Sequence, residues 1–126
     1  VKLYHCKYSS ADTPGARISD FYEVCGQAQK CVQWRENPRR MLQHLLHQEG
    51  LRTRAGKASR FERGSRATVQ NLINKGRRLA FDFEVIIVQP GFKRSSIAPQ
   101  FLDVLGATEV FLKETFSIPL GVVVSD

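Results

Sequence analysis

Lys7 closes a short strand-like segment, and the helix encoded further on carries Glu23 and Gln27 four residues apart, one above the other on a single face. In strand–turn–helix order these groups can meet, which would bring together an ammonium, a carboxylate and an amide. Cleaving a phosphodiester needs a metal ion that polarises the phosphate and lowers the pKa of a water. It also needs a cation that orients the nucleophile or stabilises developing charge. Lys7 can be that cation, and Glu23 can deliver a carboxylate from the helix. His5 lies two residues before Lys7, on the same side of the strand. Imidazole is a poor donor to magnesium, which prefers oxygen, so a role for His5 in metal ligation or proton transfer competes with that of a core or solvent-facing histidine. Taken alone, Lys7 is a surface lysine and Gln27 an amide that satisfies a backbone group. Their joint occurrence in this order is what favours a site.

A second feature is electrostatic. The chain holds 19 Lys and Arg against 12 Asp and Glu, a net charge of +7. Residues 51–78 account for it: Arg52, Arg54, Lys57, Arg60, Arg63, Arg66, Lys75, Arg77 and Arg78 face one acid, Glu62, for a local excess of +8. Such a concentration can neutralise phosphates and release counterions, the driving force of salt-dependent nucleic-acid binding. From Arg52 to Arg66 the bases recur every two or three residues, which suits tracking a phosphate backbone better than reading base edges. Phe61 is the one aromatic residue in that run available for stacking, so weak sequence preference is expected. A solvated loop without a ligand, or a dock for acidic protein or lipid headgroups, would use the same residues.

The positioning elements follow from periodicity. Val1–Tyr8 alternates as a strand, and Ser9–Gly15 is a cluster of turn formers that ends it. A helix over about Asp20–Trp34, capped by Ser19 or Asp20, turns Phe21, Val24, Cys25, Ala28, Cys31 and Val32 to a core. Asn37-Pro38 starts another helix with Met41, Leu42, Leu45 and Leu46 apolar and Gly50 as its terminator. His44 and His47 sit three apart on it, a metal-compatible spacing with no third ligand nearby, which favours a surface role. Residues 51–66 are expected as an extended or poorly ordered basic loop. A helix from Ser65 or Thr68 to Lys75 follows, with Val69, Leu72 and Ile73 inward. Phe81–Val88 has the composition of a central strand covered on both faces, broken by Gln89-Pro90-Gly91. Ile97 to about Phe116 is helical, with Phe101, Leu102, Leu105, Val110, Phe111 and Leu112 buried and a break at Gly106. Leu120–Val124 should be a buried strand beside the Val85 strand, reached by a helical crossover. The order β-α-α-(basic loop)-α-β-α-β predicts an α/β fold, a mixed or parallel central sheet flanked by helices, in a single domain over residues 1–126.

Composition narrows the classes. With 42% apolar and 25% charged residues the chain is neither disordered nor collagenous, and it has no apolar run near the roughly 20 residues needed to cross a bilayer. Three cysteines, Cys6, Cys25 and Cys31, without CxxC spacing argue against a disulfide scaffold or zinc knuckle and fit a reducing cytoplasm. No GxxxxGK[ST], GxGxxG or GxSxG motif is present. Val1 opens directly onto a strand, so the chain is expected to be a piece of a longer polypeptide.

His5-Cys6-Lys7 at a strand end, followed by a turn and the helix Tyr22–Gln29, resembles the PD-(D/E)XK nuclease superfamily, the restriction-endonuclease-like fold. Lys7 matches that family's lysine and Gln27 its helix glutamine, while His5 stands where the acid of the motif is normally found. The same residues, with Pro14-Gly15-Ala16-Arg17, Val88-Gln89-Pro90-Gly91-Phe92 and the segment from Glu114 to Ser125, resemble a module of large bacterial helicase-containing proteins of phage-defence type. The resemblance spans nearly the whole chain. It implies the C-terminal part of a magnesium-dependent nuclease domain incomplete at its N-terminus, acting on DNA in the cytoplasm, with a helicase region on the parent chain and no membrane partner. Lys7, Gln27, Glu23 and His5 would be the catalytic set. Glu23 would serve as a metal ligand, with other ligands upstream of Val1. If no further carboxylate reaches the strand end, the resemblance implies an inert fold that still grips nucleic acid.

Overall fold

The computed structural model describes residues 1–7, 17–76 and 80–125. The turn-forming run 9–15 and the candidate DNA contacts Arg77 and Arg78 lie outside the described residues. In chain order the elements are β1 (Lys2–Cys6), α1 (Ile18–Lys30), α2 (Val32–Glu36), α3 (Pro38–Arg54), α4 (Arg66–Lys75), β2 (Glu84–Lys93), α5 (Pro99–Val110) and β3 (Leu120–Ser125). A short 3-10 turn, Arg94–Ser96, precedes α5, and a π-helical turn, Phe111–Thr115, follows it. Two compact units emerge, one from Val1–Val32 with Asp82–Asp126, the other from Gln33–Phe81.

The first unit is α/β. Its three strands are all parallel in the order β1-β2-β3, so the β-branched β2 is central and pairs Val85 with Leu3 on one side and Leu120 on the other. Leu3, His5 and Lys7 share the face that meets α1, while Lys2, Tyr4 and Cys6 are exposed. The stripe expected on α1 is realised in Phe21, Val24, Cys25 and Ala28, all buried. Phe21 packs edge-on against Phe101 and tilted against Phe92, both with ring centroids at 5.2 Å, and Phe92 meets Phe101 at 4.5 Å.

Several boundaries differ from expectation. The first helix starts at Ile18 with Arg17 at its N-cap and no capping side chain, so neither Ser19 nor Asp20 caps it. It stops at Lys30 because the Cys31 N–H bonds back to the Ala28 carbonyl, a tight turn that redirects the chain before α2. Pro90-Gly91 does not end β2; the register against β3 shifts between Gln89 and Lys93, an irregularity that takes in a residue without an N–H and a glycine at φ 89°. Gly106 does not break α5. Thr108 and Leu112 are buried, whereas Leu102, Val110 and Phe111 are exposed. β3 is not a buried strand: it is a sheet edge, α5 packs on α1, and Val123 remains 52% exposed.

The second unit pairs α3 with α4. Asn37 caps α3 as expected, accepting the Arg40 N–H at 3.0 Å, and Ser65 with Thr68 forms a reciprocal cap on α4. Gly50 does not terminate α3, which continues to Arg54, so the basic loop begins at Ala55 rather than at residue 51. The glycine lies close to the Arg66 guanidinium: a Cβ there would stand 3.3 Å from it. Nor is the loop an unattached extended segment. Buried Glu49 accepts the Arg60 N–H at 3.3 Å, and the Arg52 guanidinium donates to the Ala58 carbonyl. The Ser59 hydroxyl, the Arg60 N–H and nearby arginine charge hold the Glu49 carboxyl below its usual pKa.

Candidate functional site

β1 delivers Lys7 to its C-terminal end, and α1 lays Glu23 and Gln27 one turn apart across from it. The three groups converge on the Glu23 carboxylate. Lys7 Nζ forms an ion pair with Glu23 Oε2, and Gln27 Nε2 donates to Glu23 Oε1 at 3.2 Å. The Glu23 hydrogen bond raises the Lys7 pKa above its ordinary value, so Lys7 is a permanent cation at neutral pH, able to hold an anion but not to act as a base. Lys7 is half-buried and Glu23 open to solvent, which leaves the carboxylate accessible.

His5 is engaged elsewhere. Its Nε2 lies 2.8 Å from the Sγ of buried Cys31, the residue that follows α1. Burial lowers the His5 pKa from 6.5 and pushes the Cys31 thiol up from 9.0 to about 11. Both groups are therefore neutral near pH 7, an imidazole–thiol bond with no ionic character. The sign of the linkage follows. His5 takes a proton more readily in the unfolded chain, so its contribution is present above pH 6.5 and is lost as pH falls through its lowered value. Cys31 ionises more readily unfolded, so its contribution is complete below pH 9.0 and is lost as pH rises toward about 11. Urea titrations should show the midpoint falling at both ends, with a shallower alkaline fall in Cys31→Ala.

Sequence analysis missed Gln89. Continuing the pairing of Cys6 with Val88 sets Gln89 beside Lys7, and strand alternation turns it to the same face, toward α1. The residue is 3% exposed, and its Oε1 has no hydrogen-bond partner among the described residues. A buried, unsatisfied amide oxygen costs about 1–3 kcal/mol, which the fold tolerates where a water, ion or ligand completes it. Its only signal was a polar residue ending an otherwise apolar strand, read there as a strand breaker. Lys7 thus follows the carboxyl end of β1, the edge where open α/β sheets bind ligands, with Glu23 and Gln27 across from it on α1, while Gln89 lies within the longer β2.

The described residues contain no group of three His, Cys, Asp or Glu side chains able to hold a metal. The donors near the β1 end are the Glu23 carboxylate, the Asp20 carboxylate one turn earlier on α1, whose charge also raises the Lys7 pKa, and the amide oxygens of Gln27 and Gln89. They suit an oxygen-seeking ion such as magnesium, which commonly takes one or two carboxylates and completes its shell with water. A separate groove of about 570 Å³ runs between β3 and the start of α5, lined by Leu102, Leu105, Val122 and Val124 with Arg94 at its rim. None of the four site residues lines it.

In the unit 33–81, the charge partition is sharper than the sequence run suggested. Twelve Lys and Arg face three Glu there, a net +9, while the other unit holds seven bases and nine acids, a net −2. Arg54, Lys57, Arg60, Arg63 and Arg66 are exposed, and Arg52 is half-buried. Among the described residues, the ion pairs are Lys2–Glu84 and Lys7–Glu23, both in the other unit. The unit also stacks Trp34 on His44, ring centroids 5.5 Å apart, an aromatic pair that the sequence run around Phe61 did not reveal.

No helix among the described residues is long and apolar enough to cross a membrane. No family model, curated protein or solved structure matches the chain significantly.

Proposed function

We propose that this chain is a DNA-binding α/β module of restriction-endonuclease-like, PD-(D/E)XK type, acting in the cytoplasm beside a helicase region of a phage-defence protein. One observation carries the binding: the net +9 of residues 33–81, whose cations form no ion pair with a carboxylate among the described residues. Charges left unneutralised by the fold are available to phosphates, and releasing their counterions supplies affinity without base recognition.

A second reading, a magnesium-dependent nuclease, is favoured by the convergence of Lys7 and Gln27 on Glu23 with Gln89 alongside. Magnesium, when bound, would polarise the phosphate and supply a nucleophilic water. Glu23 and the Gln89 amide oxygen would be its protein ligands here, with others from sequence outside these residues. Lys7 would hold the scissile phosphate and offset charge developing on it, and Gln27 would fix the Glu23 carboxylate.

Incubating the protein with plasmid DNA and magnesium beside a Lys7→Ala variant separates the readings. Cleavage reduced about 100-fold or more in the variant, with binding retained, supports the nuclease. Binding without cleavage in either protein leaves the inert module. Absence of DNA binding in both overturns the proposal. Half-buried Lys7 pairs with a solvent-open carboxylate, so its replacement should change the urea midpoint little.

A further inference from the structure

We infer that the 33–81 unit prefers unpaired DNA over duplex, with a base stacking on the exposed imidazole of His44. The inference rests on the DNA-binding proposal and names the form of DNA it takes. On α3, Arg40, His44, His47 and Leu51 recur at i, i+4, i+7 and i+11, and all four are exposed, whereas Leu42, Leu46 and Glu49 on the opposite face are buried. The outward stripe therefore places an imidazole between cationic and apolar neighbours. Trp34 stacks on His44 at an interplanar angle of 28°, and His44 is nonetheless exposed, which leaves imidazole surface accessible to a base.

The pair is held in the way a stacking platform needs, by the contact of the two rings. Trp34 is half-buried and backs the imidazole, so the ring loses little freedom when a base lies on it. The 17 residues of α3 extend about 25 Å, long enough to run beside several nucleotides, and α3 ends in Arg52 and Arg54, with Lys57 just beyond. Phosphate contacts alone would favour the duplex, whose higher charge density releases more counterions per contact. A base already paired and stacked within a duplex offers no free face, so an exposed ring beside unneutralised arginines selects an unpaired strand. Stacking is tolerant of base identity, in keeping with the lack of groups placed for base-edge readout.

The test uses the whole chain and three probes of equal phosphate number: a thymidine 16-mer, an abasic 16-mer and a duplex. The thymidine strand should bind about 10-fold more tightly than either of the others, within the range that one or two stacked bases provide. His44→Ala, at an exposed position, should weaken thymidine binding about 5- to 10-fold and leave abasic and duplex binding unchanged. Trp34 is the chain's single tryptophan, so its emission should be quenched by the thymidine strand and not by the abasic one. Equal affinity for thymidine and abasic strands, or a His44→Ala loss shared by all three probes, overturns the inference while leaving DNA binding intact. Failure of all three probes to bind at low salt overturns the DNA-binding proposal itself.

Discussion

Phe21→Ala is expected to destabilise the protein by about 3–5 kcal/mol, read as a fall in the urea midpoint. Phe21 is 1% exposed and is held between Phe92, from the irregular end of β2, and Phe101, from the first turns of α5. Its removal takes hydrocarbon out of a fully buried position and strands two aromatic rings beside a void, because the three elements that carry the cluster cannot all collapse into it. Leu102→Ser, one residue beyond Phe101 but 54% exposed, should change stability by no more than about 0.5 kcal/mol. A small effect at Phe21 would mean that α1 and α5 do not share this core.

Replacing Lys57, Arg60 and Arg63 together by alanine is expected to weaken DNA binding about 100-fold near 100 mM salt and to lower the slope of log K against log salt by about 2–3. These three side chains are exposed, and among the described residues none makes an ion pair or a side-chain hydrogen bond. The loop's own attachments survive the substitutions: Glu49 holds the backbone N–H of residue 60, and Arg52 holds the carbonyl of Ala58. The variant should therefore unfold at nearly the same urea concentration as the unaltered protein, the one stabilising charge removed being that of Arg60 near Glu49. Weakened binding accompanied by a lowered midpoint would point to a disordered loop rather than lost phosphate contacts.

Local signals were legible where local chemistry decides the outcome. Asn37-Pro38 and Ser65 cap helices because a side-chain acceptor meets free N–H groups within three residues. The β-branched run around Val85–Val88 had to be central, and Glu23 and Gln27 had to share a helix face. What failed depends on partners distant in sequence. Gly50 has the look of a terminator, but α3 runs on past it, and what lies close to it is the Arg66 guanidinium, 16 residues on. Pro90-Gly91 has the look of a breaker, but an irregular pairing with β3 absorbs both. Gln89 acquires meaning only when β1 sets Lys7 beside it, and Trp34 meets His44 through the turn between α2 and α3. β3 has the composition of a buried strand, yet nothing in its own six residues reveals that α5 packs on α1 and leaves it at an edge.

The central claim is that residues 33–81 hold a phosphate backbone by charge. The most direct measurement is the affinity of the protein for a short DNA across about 50–300 mM salt, by fluorescence anisotropy. About five or more phosphate contacts predict a linear log–log dependence with a slope near −4 or steeper. An affinity indifferent to salt, or no binding at 50 mM, would contradict it.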